Sequence, residues 1–566
     1  MNRQTETGNK ITVFSKIANR INHFSAIIDS KKSRMPELLV LSIYTVCHCI
    51  ISMLHEASFD EAHAWNIAKD AGIMEAVFEI PHWEGHPSLW HLLLMPFAKL
   101  GMDYQLTMTL VTLFFSGFAV YLLVFRSPFP RIIRLILPFT YFFFYQYGVI
   151  ARPYCMMMTA FMIAAFFYKD KDRKPLRFVL SLIFLCATSA FGVAFCAGIA
   201  GAWLFEIFRG YIQKSEANNA AAFYKDKRLW CLFILLLYAV FLLGRAWPKN
   251  ESGAMNYNPY ERVSGVGTRA LYLFLGLFSD LFFTNTYDLD YLADFRFNTS
   301  ELLSCCVIGV VIVGLIIYVA KKEKTLIEFI LPYICFSVFS IYIYFCVYNS
   351  GLPLLFLIFW AWLTVEKNRQ VKIHIENNEK TGVSRYLLSL CLAGMLLPLV
   401  WSFSAAVKDG EYSYTVGKKE AEFLIENGFD QYDICVEWTY DTVDGDEERL
   451  RFLDPVHNLV MDRLAAYLGH PNFVNWPFEE SLYVKYNSVM SNEEREAIIE
   501  NIKKNPRPSV LIGEPKLEML NGDDFVLYDE YAEVYRGTTN KTWKGVGNLG
   551  RSSILVRKDL LKNDGR

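Results

Sequence analysis

Long apolar runs repeated along most of the chain limit what it can fold into more than any other feature. Clear examples are Leu38–Leu54, Leu106–Phe125, Ile132–Tyr145, Leu229–Gly244, Leu302–Ala320, Leu326–Val347, Leu352–Val365 and Tyr386–Ala406. Each approaches the roughly 20 apolar residues that a helix needs to cross a hydrocarbon core about 30 Å thick. With 566 residues, 53% hydrophobic and only 20% charged, the chain does not read as a string of soluble domains with polar surfaces. The runs predict a polytopic α-helical membrane protein.

Lys and Arg stay on the cytoplasmic side of such proteins. The polar, basic segment 1–34, with Lys10, Lys16, Arg20, Lys31, Lys32 and Arg34, is therefore expected to be cytoplasmic. So are Arg126–Arg134, Lys169–Lys174, Arg209–Arg228, Lys321–Lys324 and Glu366–Arg385. The first span has no small-residue cleavage site after it and reads as a retained anchor. Two short stretches, Ser88–Leu100 and Ala270–Phe283, are best laid at the outer interface, giving eleven crossings; if both cross, there are thirteen. Either odd number leaves the C-terminus outside. The expected division is thus 1–34, a transmembrane unit 35–406 with a first outer loop at 55–88, and an extracytoplasmic unit 407–566 in a multi-pass protein of the cell membrane.

From Val407 onward there are 20 Lys and Arg against 30 Asp and Glu, a net of −10, so the remainder carries +8 of the whole-chain −2. Nucleic acid is an unsuitable partner for so acidic a portion. It holds one of the twelve cysteines, Cys435, so no disulfide framework forms within it. Gly417–Phe429 has helical spacing, Asp433–Trp438 reads as a strand, Ser491–Asn505 as a Ser-capped helix and Ser509–Gly513 as another strand. The segments FVLYDEYAEVYRG and SILVRKDLL follow as further strands. The alternation predicts a small α/β domain.

Directly after the first span comes FDEAHAWNIAKDAGIMEAVFEIPHWEGHPSLWHLLL, with Asp60, Glu61, His63, Glu79, His82, Glu84 and His86 in one short stretch. A carboxylate at a membrane surface beside a lipid-facing cleft can take a proton from an attacking hydroxyl or amine, and Asp60 is the candidate base. Glu61 beside it is expected to raise its proton affinity, since adjacent like charges resist joint ionisation. AWNIAKDAG reads as a short amphipathic stretch. His82, Glu84 and His86 alternate, and groups at i and i+2 do not converge on one helix face. A turn can bring them together with His63 or Glu61, but no strong zinc spacing is present. They are read as acceptor-contacting residues, with no cofactor expected and a divalent metal not predicted.

In YGVIARPYCMMMTAF, Arg152 opens an apolar run, where a guanidinium is costly unless it snorkels or pairs. At the outer face, level with Asp60, it can hold a phosphate through a bidentate contact, with Tyr154 beside it. Arg245 is a second phosphate candidate and Lys249 a weaker third. Met156–Met158 read as core filler, and YFFFYQYG as lipid-facing or packing residues.

Asp-Glu just after the first span, His86-Pro87-Ser88-Leu89 some 25 residues later and an apolar run ending in Leu-Gly resemble the GT-C glycosyltransferases. The nearest branches are the protein O-mannosyltransferases and the aminoarabinose transferases of lipid A. The likeness covers roughly the first 170 residues. It implies a polyprenyl-phosphate-linked sugar as donor, Asp60 as catalytic base and Glu61 as its neighbour, with an acceptor that is a lipid, glycan or protein. Arg-Pro-Tyr at 152–154 fits the same superfamily. Two positions depart from its pattern: Ser88 replaces a second proline, and Tyr348-Asn349-Ser350 stand where relatives often carry Arg-His. A transporter or flippase predicts duplicated halves and interrupted helices, whereas Glu206, Asp280 and Glu328 lie near span ends and no duplication is visible. A non-catalytic envelope assembly protein accommodates the outer domain but leaves the Asp60-Glu61 constellation without a role.

Overall fold

The computed structural model describes residues 3–214, 225–247, 266–285, 299–372, 382–436, 459–469, 472–474, 507–513 and 530–561, with isolated positions between 493 and 505. Seven helices among these are long and apolar enough to cross a membrane: Met35–Leu54, Tyr104–Arg126, Ala190–Ile212, Lys227–Ala246, Ser300–Lys322, Tyr348–Lys367 and Leu387–Glu411. A bent pair, Arg131–Phe139 with Phe142–Val149, adds an eighth if its 43° break lies within one span. Tyr154–Tyr168, Pro175–Thr188 and Leu326–Tyr342 are apolar but shorter. Eleven crossings therefore require the bent pair and all three short helices to span. Many of the long helices turn bulky side chains outward, such as Leu236, Leu237, Val307, Val311, Leu396 and Phe403. That is how a bundle bathed in lipid looks.

The two stretches assigned to the interface form short pieces. Leu89–Lys99 is an eleven-residue helix, about 16 Å long at 1.5 Å per residue. The other is broken into Val266–Leu271, Tyr272–Gly276 and Leu277–Asp280. Residues Arg3–Ser30, read from the sequence only as a polar segment, form a helix. At that end of the bundle Arg131 bonds Glu37 through two nitrogens and also caps the carbonyls of Ile28 and Lys31, pinning the base of the first span.

The aromatic run after the bend is packed, not lipid-facing. Phe142–Val149 is π-helical and buried throughout, and π segments are rare and often mark functional sites. Close approach maintains it: His48 Nε2 lies 2.8 Å from the Gly148 carbonyl, and a Cβ at Gly148 would stand 2.8 Å from the Tyr44 hydroxyl. Met157 and Met158 fill the core beneath.

Among the described residues the C-terminal unit contains the helices Gly417–Glu426 and Leu459–Leu468, a short helix Lys558–Leu561 and a four-stranded mixed sheet in the order β1-β2-β4-β3. The strands are β1 (Ile434–Val436), β2 (Val510–Gly513), β3 (Tyr531–Trp543) and β4 (Val546–Arg557). β1 and β2 pair in parallel; β4 runs antiparallel to both neighbours. The expected helix and first two strands lie where their patterns put them. The helix expected at Ser491–Asn505 falls largely outside the described residues, as does the FVLYD part of its strand.

One feature goes beyond the expected strands, which cover part of both its arms but not its tip. β3 and β4 form a long hairpin closed by Lys544 and Gly545, both left-handed at φ 48° and 75°, the geometry of a two-residue type I′ loop. Its tip enters the helical bundle. Trp543 is 1% exposed, edge-on to Tyr141 and Tyr348. The Lys544 ammonium donates to the carbonyls of Asp280 and Thr284 at 2.6 and 2.9 Å, with the Trp401 ring 4.8 Å from it. Ser404 and Lys408 donate to the Gly545 carbonyl. A Cβ on Gly545 would meet Ser404 Cβ at 2.7 Å.

Trp543→Ala empties this socket. We expect a loss of about 3–5 kcal/mol and rapid proteolysis between the two units in detergent; unchanged thermal stability and protease resistance would show that the tip does not hold them together.

Candidate active site

Phe59–Asp70 is a helix whose first turn carries the two acidic residues. Ser58 precedes it, and Glu61 at the third position returns to accept the Ser58 N–H at 2.8 Å. Ser58-Phe59-Asp60-Glu61 is thus a capping box, which satisfies helix-end donors that otherwise have no partner. From Glu61 to Ala68 every residue is buried. The helix lies between Leu89–Lys99 and the C-terminal helix Leu459–Leu468, with no solvent face along that part; the amphipathic reading of AWNIAKDAG does not hold.

Successive residues on a helix point about 100° apart, and this separates the two carboxylates. Asp60 turns to Arg152, whose Nη1 lies 2.9 Å from Asp60 Oδ2; about a third of the Asp60 side chain is accessible. Glu61 is 1% exposed and points inward. One of its oxygens accepts the Ala151 N–H at 2.5 Å, and the other lies 3.2 Å from His55 Nε2. The two side chains diverge. Glu61 ties down the backbone that presents Arg152, while Asp60 meets the guanidinium itself.

His55 continues the chain. Its Nδ1 lies 2.9 Å from Asp409 Oδ2, which also accepts the Tyr145 hydroxyl at 2.8 Å, and that hydroxyl is 3.2 Å from Thr542 Oγ1 on β3. Burial alone would lower the affinity of His55 for its proton, but Asp409 and Glu61 on either side outweigh it and raise its pKa to about 10. Burial likewise opposes ionisation of Glu61, yet His55 and Ser58 carry it below the ordinary carboxylate value. An imidazolium between two carboxylates is thereby enclosed at the end of the first span.

Around the Asp60–Arg152 pair the structure brings together several expected residues. The Arg152 guanidinium lies 5.4 Å from the Tyr154 ring centre, and the Tyr154 hydroxyl accepts from Asn349 at 2.6 Å. His86 is within electrostatic range of Asp60, Arg152 and Glu84; its Nδ1 is buried without a hydrogen-bond partner among the described residues. Burial first, then Arg152, lowers its pKa below the ordinary imidazole value, so it enters the site neutral. His63 Nε2 lies 3.2 Å from Glu84 Oε1. His91, not singled out from the sequence, completes the surroundings of Glu84.

Two expected contacts lie elsewhere. Gly85, left-handed at φ 66°, ends the short helix Ile80–Glu84 and sends His82 and His86 different ways. His82 faces the Trp247 carbonyl at 2.6 Å and Arg245 Nη2 at 3.4 Å, and Arg245 lies over the Phe78 ring. Neither joins the cluster around Asp60, where His82 was expected at the acceptor and Arg245 at the phosphate. Lys249 is outside the described residues. No group of three or more His, Cys, Asp or Glu among the described residues has metal-holding geometry.

Sequence reasoning missed His55, Asp409, Tyr348 and Lys541. Tyr348 and Lys541 both lie within electrostatic range of Asp60. The capping-box spacing of Ser58 and Glu61 was the one local signal available. No protein-family model matches the chain, and no curated protein matches it.

His55 sets a pH dependence. Its folded pKa exceeds the ordinary 6.5, so its stabilisation is complete below that value and is lost as pH climbs through about 10. Glu61, held low, stabilises above its ordinary 4.5 and ceases to as pH falls through its lowered value. Thermal unfolding in detergent should therefore weaken at both extremes. His55→Gln should cost about 3–5 kcal/mol at neutral pH by stranding buried carboxylates and should flatten the alkaline limb; an unchanged alkaline limb refutes the assignment.

Proposed function

We propose that the chain transfers a sugar from a polyprenyl-phosphate-linked donor to an acceptor at the outer face of the membrane, with inversion at the anomeric carbon. The observation that supports this reading best is the Asp60–Arg152 pair, 2.9 Å apart and partly accessible at the end of the bundle beneath the C-terminal sheet. A carboxylate and a guanidinium in one place are the two charges that displacement from a sugar phosphate calls for.

In the proposed reaction the acceptor's oxygen or nitrogen attacks the anomeric carbon and gives its proton to Asp60. The bond from that carbon to the phosphate oxygen breaks, and its electron pair leaves on the polyprenyl phosphate. Arg152 neutralises the charge gained there, an electrostatic contribution strongest in a water-poor site. A guanidinium has five N–H donors in a fixed fork, so Arg152 can keep one toward Asp60 while others take the phosphate. Glu61 acts as a positioning residue through Ala151. Neutral His86 supplies a nitrogen for an acceptor or sugar hydroxyl. Under this reading segment 1–34 is cytoplasmic and residues 407–566 face outward.

Asp60→Asn should lower transfer by about 10²–10⁴-fold with thermal stability little changed, read as glycan or lipid products by mass spectrometry in membranes with and without the protein. Arg152→Ala should weaken the lipid-phosphate donor more than the acceptor. Full transfer by the Asn variant removes Asp60 as base, and equal donor affinity removes Arg152 as the phosphate contact.

A further inference from the structure

Resting on the reading above, we infer that the C-terminal unit completes the anion site: Lys541 of β3 joins Arg152 beside Asp60, so a phosphate bound there is gripped from both units.

The hairpin determines where Lys541 stands. Side chains alternate along a strand, which puts Lys541 on the face of Trp543 and opposite to Thr542. Thr542 faces the Tyr145 hydroxyl, while Trp543 lies edge-on to Tyr348, 5.9 Å between ring centres. Tyr348 in turn is within electrostatic range of Asp60 and Arg152. The strand cannot slide out of this register, because the Asn540 N–H donates to the Ser413 carbonyl at 2.8 Å and Thr539 bridges Ser413.

Helix Leu459–Leu468 carries Arg463 within electrostatic range of Lys541. Tyr467, one turn beyond, accepts the Ala57 N–H at 2.9 Å, just before the Asp60 helix. Gly417 allows the close approach, since a Cβ there would stand 2.9 Å from Arg463 Cβ.

Lys541 is half-buried, yet no carboxylate among the described residues lies within salt-bridge distance of it. The charged groups it senses are Arg463 and Asp60, and Asp60 is already engaged by Arg152. Burial, with Arg463 adding to it, pushes the Lys541 ammonium below its ordinary value. A sheltered cation without a counter-ion is unfavourable until an anion arrives.

The test uses the full chain in detergent and undecaprenyl phosphate as probe, with binding followed by native mass spectrometry. Lys541→Gln should weaken binding roughly tenfold, the scale of one charge-assisted hydrogen bond. Lys541→Arg should stay within about threefold of the parent, because the charge is kept. Lys504→Gln, on an exposed helix position, should change nothing. Inorganic phosphate competing equally with the lipid would assign the site to the free anion; competition by the polyprenyl chain's phosphate alone supports the lipid. If Arg152→Ala weakens the lipid and Lys541→Gln does not, the inference is overturned while the proposed function stands. If neither variant alters binding, the phosphate reading of the site fails with it. Should Lys541→Gln not fold, acetylation footprinting of the parent decides: protection of Lys541 by the lipid supports the inference, and no protection overturns it.

Discussion

The buried sequence of Glu61, His55 and Asp409 is the constraint on which the rest of the site depends. Its three groups come from the loop helix, the end of the first span and the last span. Two carboxylates cannot remain enclosed without donors. Here the donors are an imidazolium, the N–H groups of Ser58 and Ala151, and the Tyr145 hydroxyl. The donors lie on two pieces of backbone, 55–58 and 145–151, and Asp409 on a third, so satisfying the charges fixes the relative positions of those pieces. Buried ion pairs of this kind stabilise less than their charges suggest, but they penalise every arrangement that leaves one member alone.

The same constraint explains why two neighbouring carboxylates have separate tasks. On one helix turn, Asp60 and Glu61 diverge, and the space inward of Glu61 is already lined with donors. Glu61 is therefore absorbed into the scaffold, and the partly accessible carboxylate is Asp60. Both end on the 151–152 segment, one through backbone and one through the side chain. A rigid helix start is thus coupled to the turn that carries Arg152. The π-helical stretch just before that turn is held by Tyr145 and Gly148, so the position of the guanidinium depends on the last span and on the hairpin tip as well.

What was legible in the sequence followed the range of the interactions. Spans of Leu, Ile and Phe are read from composition alone, and helix Gly417–Glu426 and strands β1 and β2 follow from short periodic patterns. Asp60, Arg152, Tyr154 and His86 were recognisable because a charged or polar group beside an apolar run needs a reason. The partners that give those residues meaning were not. Asp409 lies 354 positions from His55, and Thr542 397 from Tyr145; neither has a local pattern. His82 was misjudged because one left-handed glycine redirects it, and Arg245 because a cation near a span end looks the same whether it faces a ligand or a histidine. Parts of both hairpin strands were expected, at FVLYDEYAEVYRG and SILVRKDLL, but not the tip, whose inward-facing Trp543 and Lys544 find their environment only in the other unit.

The resting ion pair bears on how such a site would work. Arg152 and Asp60 neutralise one another when no ligand is present, which makes a guanidinium near lipid tolerable. In the proposed reaction an incoming phosphate would compete for the same cation. As Arg152 turns part of its fork toward the phosphate, Asp60 loses a hydrogen-bonding partner and its oxygen becomes a better acceptor for a proton. Under the proposed reaction, donor binding and activation of the base are then one event, and the carboxylate is least reactive when only water is at hand. The arrangement also requires that the charge Arg152 withdraws from Asp60 be partly replaced, or the carboxylate would be left uncompensated at the edge of the bundle. Lys541, on the C-terminal unit, lies within electrostatic range of Asp60. A sheet planted on the bundle by a buried tryptophan and lysine is therefore well placed to govern when the pair can open.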